Sequence, residues 1–116
     1  MKETITLHLD PLNFDSSALS QAAEFIRLNK TVIFPTETVY GLGANALSDE
    51  AVAKIFIAKG RPQDNPLIIH VSSIDMMEKL IDKPLNEQSK QLIKAFWPGP
   101  LTLVLKHSDL VPNSVC

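Results

Sequence analysis

Three hydroxyl side chains stand two residues apart in Pro35–Gly43 (PTETVYGLG): Thr36, Thr38 and Tyr40. Extended backbone would turn all three to one side. There, Thr and Tyr hydroxyls can donate to a carboxylate and accept from an ammonium, the two groups of a free amino acid. The same residue types also build turns, with Thr and Glu satisfying backbone groups and glycines supplying positive φ, and the pattern alone weighs the two readings evenly. Gly41-Leu42-Gly43-Ala44-Asn45-Ala46 fits G-x-G-x-x-A. That dinucleotide fingerprint should open a helix at once, whereas the helix cap here falls at Ser48, so the match is discounted. No G-x-x-x-x-G-K-[ST] run exists, so a nucleotide must be held in another way.

Lys59–Leu67 (KGRPQDNPL) is the second candidate. Lys59 and Arg61 flank Gly60 at an expected helix end, and Pro62 and Pro66 stiffen the loop. Such a loop suits polyphosphate, because Arg grips phosphate in a bidentate fork and Lys adds a point charge. Asn65 could donate to a phosphate or a base edge. Cations near a helix C-terminus also simply complement its dipole, which accounts for Lys59 more readily than for Arg61. His70 lies inside the apolar run LIIHV, where a lone histidine is more often a satisfied core residue than a catalyst or ligand. His8 and His107 read as exposed. Without a nucleophile elbow or paired acids in one segment, hydrolase chemistry finds no support. Trp97–Thr102 (WPGPLT) reads as a stiff turn, with Trp97 packed over a proline corner.

These segments need elements to hold them. Residues 3–9 (ETITLHL) alternate, predicting a strand that buries Ile5, Leu7 and Leu9. Asp15, Ser16 and Ser17 offer caps to a helix carrying Leu19, Ala22, Ala23 and Ile26 and ending near Asn29. Residues 31–35 (TVIFP) predict a buried strand halted by Pro35. Ser48 caps DEAVAKIFIAK, with Asp49 and Glu50 in the favourable first turn and Gly60 as its stop. Residues 67–71 (LIIHV) predict another buried strand, and Ser72-Ser73 opens a helix through Met77 and Leu80. A helix over 86–96 turns Leu92, Ile93 and Phe96 inward, and 101–106 (LTLVLK) is a last strand. This alternation predicts an α/β sandwich with a partly parallel sheet.

Composition narrows the function classes. The 116 residues suit one domain, and 45% hydrophobic with 21% charged residues excludes disordered, collagenous and coiled-coil chains. No apolar run approaches the length of a membrane helix and the start lacks a signal-peptide core, which predicts a cytoplasmic protein. The net charge of -2 provides no global attraction to nucleic acid. The single cysteine, Cys116, excludes an internal disulfide and leaves a thiolate zinc site unsupported.

PTETVYGLG, KGRPQDNPL and WPGPLT, in that order and with LIIHV after the second, resemble the YrdC-like domain family of L-threonylcarbamoyladenylate synthases. The resemblance runs from about residue 15 to 115. It implies an α/β fold, a YrdC-like twisted mixed sheet flanked by helices, in a single domain over residues 1–116 that is truncated at its C-terminus. It implies a nucleotidyltransferase that joins L-threonine, bicarbonate and ATP into threonylcarbamoyl-AMP and pyrophosphate, with Mg²⁺ carried by ATP. The product feeds threonylcarbamoyladenosine modification of tRNA through downstream modification proteins. Thr38 and His70 are implied to contact threonine, with Thr36 and Tyr40 lining the same pocket; Arg61 and Asn65 are implied to contact ATP, with Lys59 near the phosphates. No protein nucleophile is required, in agreement with the absence of one above.

The family domain continues past VPNSV with an arginine-containing strand and a Ser-Ala-Asn segment that complete the pocket. The resemblance therefore implies that this chain holds one wall of the site, and that its open sheet edge favours self-association. A module for double-stranded RNA or tRNA, using Lys54, Lys59 and Arg61 as a local patch, is the competing reading. The related domain of hydrogenase-maturation proteins ranks last, since the chain has no CxxC.

Overall fold

The computed structural model describes residues 3–60 and 66–116. They fall into two compact units, one within Met1–Gly60 and one within Arg61–Cys116.

In the first unit the order is α1 (Ser16–Arg27), β1 (Val32–Phe34), β2 (Gly41–Gly43) and α2 (Asp49–Lys59). Asp15 caps α1, accepting from the backbone N–H of Ser17 at 2.9 Å and from its hydroxyl at 2.8 Å. These two bonds, the side-chain one first, hold the Asp15 carboxyl below its ordinary value. At the other end Asn29 adopts φ 59°, and its N–H reaches Ile26 O at 3.0 Å while Lys30 N–H reaches Phe25 O at 2.9 Å. This pair of bonds is the Schellman arrangement, which closes a helix with a left-handed residue. Ser48 caps α2 through Ala51 N–H at 3.2 Å, and Gly60 ends it at φ 61°. The inward side of α2 supplies the unit's buried residues, Ala51, Val52, Ile55 and Phe56.

β1 and β2 pair antiparallel, with Val32 opposite Gly43, Ile33 opposite Leu42 and Phe34 opposite Gly41. They make one hairpin, and α1 touches β1. The Phe34 ring lies across β2: a Cβ added at Gly43 would stand 2.7 Å from it, and one at Gly41 3.2 Å. The two glycines thus make room for an aromatic ring, which is a packing role and has no connection with a dinucleotide turn.

In the second unit, α3 (Ile74–Glu78) is capped by Ser73 and α4 (Glu87–Phe96) by Asn86, and a 3₁₀ turn covers Asn113–Val115. Met77, Leu80, Ile93, Val111 and Val115 are buried. The tail is tied back by Leu67 N–H to Val115 O at 2.9 Å, Asp82 N–H to Lys106 O at 2.9 Å and Ser108 N–H to Leu80 O at 2.7 Å. The Trp97–Pro98 peptide is cis, and the Trp97 indole donates to Leu101 O at 3.0 Å.

Several predicted strands differ from what is observed. Residues 3–9, 67–71 and 101–106 form no ladder strand among the described residues, and the only described sheet is the antiparallel hairpin. Ile5, Leu9, Ile33 and Ile68 are exposed, so the predicted burial of 3–9, 31–35 and 67–71 fails on those side chains. An alternating or apolar run specifies a backbone preference and a face, whereas a ladder needs a neighbouring strand that the run does not encode. On α4, Ile93 is buried, but Leu92 and Phe96 are exposed and Ser89 takes an inward place. No described helix is long and apolar enough to cross a membrane.

Candidate functional site

The hairpin exists to connect two short strands through residues 35–40, and that connection carries the predicted threonine residues. Pro35 ends β1, since it has no N–H to continue a ladder. Thr36 then folds the connection onto itself. Its hydroxyl donates to Val39 O and accepts from Thr38 N–H at 3.3 Å. The Thr36 and Thr38 hydroxyls stand 3.4 Å apart. The turn reading therefore describes Thr36, whose hydroxyl bonds backbone groups while standing beside that of Thr38. Thr36, Thr38 and Tyr40 are all exposed, Tyr40 with 74% of its surface open.

Lys59 is exposed at the last position of α2, beside carbonyls whose partial negative charge it complements. Arg61 and Asn65, the predicted ATP contacts, lie outside the described residues. His70 belongs to the second unit and is exposed, with Nδ1 3.3 Å from Ile68 O; the reading of a satisfied core histidine does not hold. Lys54, proposed as part of an RNA patch with Lys59, is engaged: Nζ donates to Asn29 O at 2.7 Å and lies 3.8 Å from Glu50. Five residues apart on one helix, Lys54 and Lys59 also point in different directions. A depression of about 380 Å³ in the second unit, bordered by Glu78, Asp82, Lys83 and Lys90, contains none of the predicted residues. Among the described residues no group of three or more His, Cys, Asp or Glu side chains is arranged to hold a metal ion.

Sequence reasoning missed Asn29. Its side-chain amide donates to Glu50 at 3.4 Å and its side-chain oxygen accepts from Asn45 at 3.5 Å. A helix-ending Asn is a legible signal for the left-handed turn, but its partners 16 and 21 residues away are not.

Comparison with known proteins decides the lineage. The family profile described as "Telomere recombination" (Sua5, yciO, yrdC) matches residues 24–116. The chain belongs to this family. It is 61% identical over 94 residues to the threonylcarbamoyl-AMP synthase of Pyrococcus abyssi, covering 81% of this chain and 27% of that relative. The Bacillus subtilis threonylcarbamoyl-AMP synthase is 54% identical over 96 residues, covering 83% and 28%. The crystal structure of P. abyssi Sua5 complexed with L-threonine superposes with a TM-score of 0.84 at 55% identity, over 89% of this chain and 30% of that one. The α/β, YrdC-like fold is thereby established. The chain spans under a third of the length of these Sua5/YrdC relatives.

Proposed function

We propose that this chain contributes threonine- and ATP-binding residues to the synthesis of threonylcarbamoyl-AMP for tRNA modification. The observation that carries the reading is the exposed Thr38–Tyr40 face on a folded hairpin connection, in a chain 55% identical to a protein solved with L-threonine. Thr38 and Tyr40 would hold the threonine carboxylate and ammonium, Thr36 would shape the turn that presents them, and His70 would be a further threonine contact. Arg61, Asn65 and Lys59 would hold ATP, which arrives with its own Mg²⁺.

In this reading the threonine amine condenses with bicarbonate, losing water, to a carbamate. A carbamate oxygen attacks the α-phosphorus and the bond to the bridging oxygen breaks, releasing pyrophosphate. The protein's part is positioning and neutralisation of charge on the phosphate oxygens, with no covalent intermediate.

The test is L-threonine titration of the isotope-labelled chain followed by NMR, beside incorporation of labelled bicarbonate into threonylcarbamoyl-AMP with an Arg61→Ala control. Threonine should shift the amides of Thr36–Tyr40, and Thr38→Val should weaken that response ~5-fold, the worth of one hydrogen bond. Whatever product the parent chain forms should vanish with Arg61→Ala. Millimolar threonine leaving those amides unmoved would overturn the reading.

A further inference from the structure

The hairpin is tied at its open end as well as by its ladder. Continuing the pairing outward from Val32–Gly43 would set Lys30 opposite Asn45, with Asn29 one residue beyond, so Asn29 and Asn45 stand diagonally across the open end. Their side chains meet there, Asn45 Nδ2 donating to Asn29 Oδ1 at 3.5 Å. Asn45 in turn holds the start of the following loop, its Oδ1 accepting from Leu47 N–H at 3.0 Å and its carbonyl from Ser48 N–H at 3.2 Å. From α2, Glu50 accepts from the Asn29 amide at 3.4 Å and Lys54 donates to the Asn29 carbonyl at 2.7 Å. Glu50 and Lys54 are one turn apart and pair with each other at 3.8 Å. One half-buried side chain therefore connects the end of α1, the exit of β2 and the first turns of α2.

We propose that Asn29 is a positioning residue for the Thr36–Tyr40 connection. A ladder of three residue pairs is short and marginal by itself, and its register decides where the connection at the far end stands. Pinning both strands at the open end removes the slippage that so short a ladder would otherwise allow. Asn suits the place for two separate reasons. It tolerates the left-handed φ of 59° that stops α1, and it carries a donor and an acceptor on one planar group, which reach Glu50 and Asn45.

Those two roles can be separated, and the consequence for threonine rests on the function proposed above. Asn29→Gly keeps the backbone conformation and removes only the clamp. It should raise amide hydrogen exchange of residues 32–34 and 41–43 by ~5-fold, the loss expected for one or two modest hydrogen bonds. The same variant should weaken the threonine response of Thr38 and Tyr40 by a similar factor, while the denaturant midpoint of the chain stays close to that of the parent. The pair Asn29→Asp with Glu50→Gln reverses donor and acceptor between the two side chains and keeps an oxygen for Asn45, so it should restore both signals.

Exchange in Asn29→Gly equal to the parent's would overturn the proposal, and so would a double variant that behaves like Asn29→Gly. Exchange is read without any substrate. If the parent chain ignores threonine, the functional reading fails while the clamp is still decided by the exchange arm.

Discussion

Adding a single methyl at Gly43 tests whether the Phe34 ring sets the hairpin. A Cβ there would stand 2.7 Å from Phe34 Cε1, 3.4 Å from Cδ1 and 3.7 Å from Cζ. Ordinary carbon–carbon contact begins near 3.5 Å, so the ring must retreat by roughly 1 Å. Overpacking of this kind costs about 1–3 kcal/mol. The substitution also removes unfolded-state freedom, worth about 0.4–1 kcal/mol in the stabilising direction, because Gly43 does not occupy the left-handed region. The balance for Gly43→Ala is a loss of about 1 kcal/mol. Gly41 is the internal control: its nearest ring atom is 3.2 Å away, a shortfall of a few tenths of an ångström, so Gly41→Ala should be close to neutral. Urea midpoints of the two variants, measured in the parent and in a Phe34→Leu background, separate the terms. The cost at Gly43 should shrink when the ring is gone. A Gly43→Ala chain as stable as Gly41→Ala, or a cost that persists without the ring, would refute the steric argument.

Two further expectations concern local structure. Asp15 accepts two bonds from Ser17 that lower its pKa below the ordinary 3.8, so its contribution to α1 is present above that value and is lost as pH falls through the lower folded value. Acid titration by circular dichroism should therefore show a low-pH loss of helix that Asp15→Asn, which cannot titrate, lacks; identical curves would remove Asp15 as the cause. At Gly99 an added Cβ would meet the Phe96 carbonyl oxygen at 2.6 Å, a backbone atom that can retreat only with α4's last turn. Gly99→Ala should destabilise by about 1–3 kcal/mol in the same urea assay, and a neutral result would show that the turn after Trp97 shifts freely.

Among the described residues, every α-helix is legible from its residues. Asp15, Ser48, Ser73 and Asn86 cap the four helices, and Asn29 and Gly60 stop the first two with positive φ. Those signals can be read because each cap bond joins residues two or three apart, so the information is local. The motif PTETVYGLG was likewise visible as a place for small polar chemistry, since residue type alone states which groups can donate and accept.

What tertiary structure decided lies between residues distant in the chain. Whether an apolar run becomes a ladder strand depends on a neighbour, and so 67–71 and 101–106 read as strands yet stand outside the described hairpin. The exposed Thr36 hydroxyl bonds Val39 O and Thr38 N–H and stands 3.4 Å from the Thr38 hydroxyl, an arrangement that the closure of the connection decides and that residue type alone does not state. Gly41 and Gly43 are glycines because a ring seven and nine positions earlier folds over them, and Asn29 gained its role from Asn45, Glu50 and Lys54. Pairwise contacts across such separations depend on the closure of the chain, which no window of sequence contains.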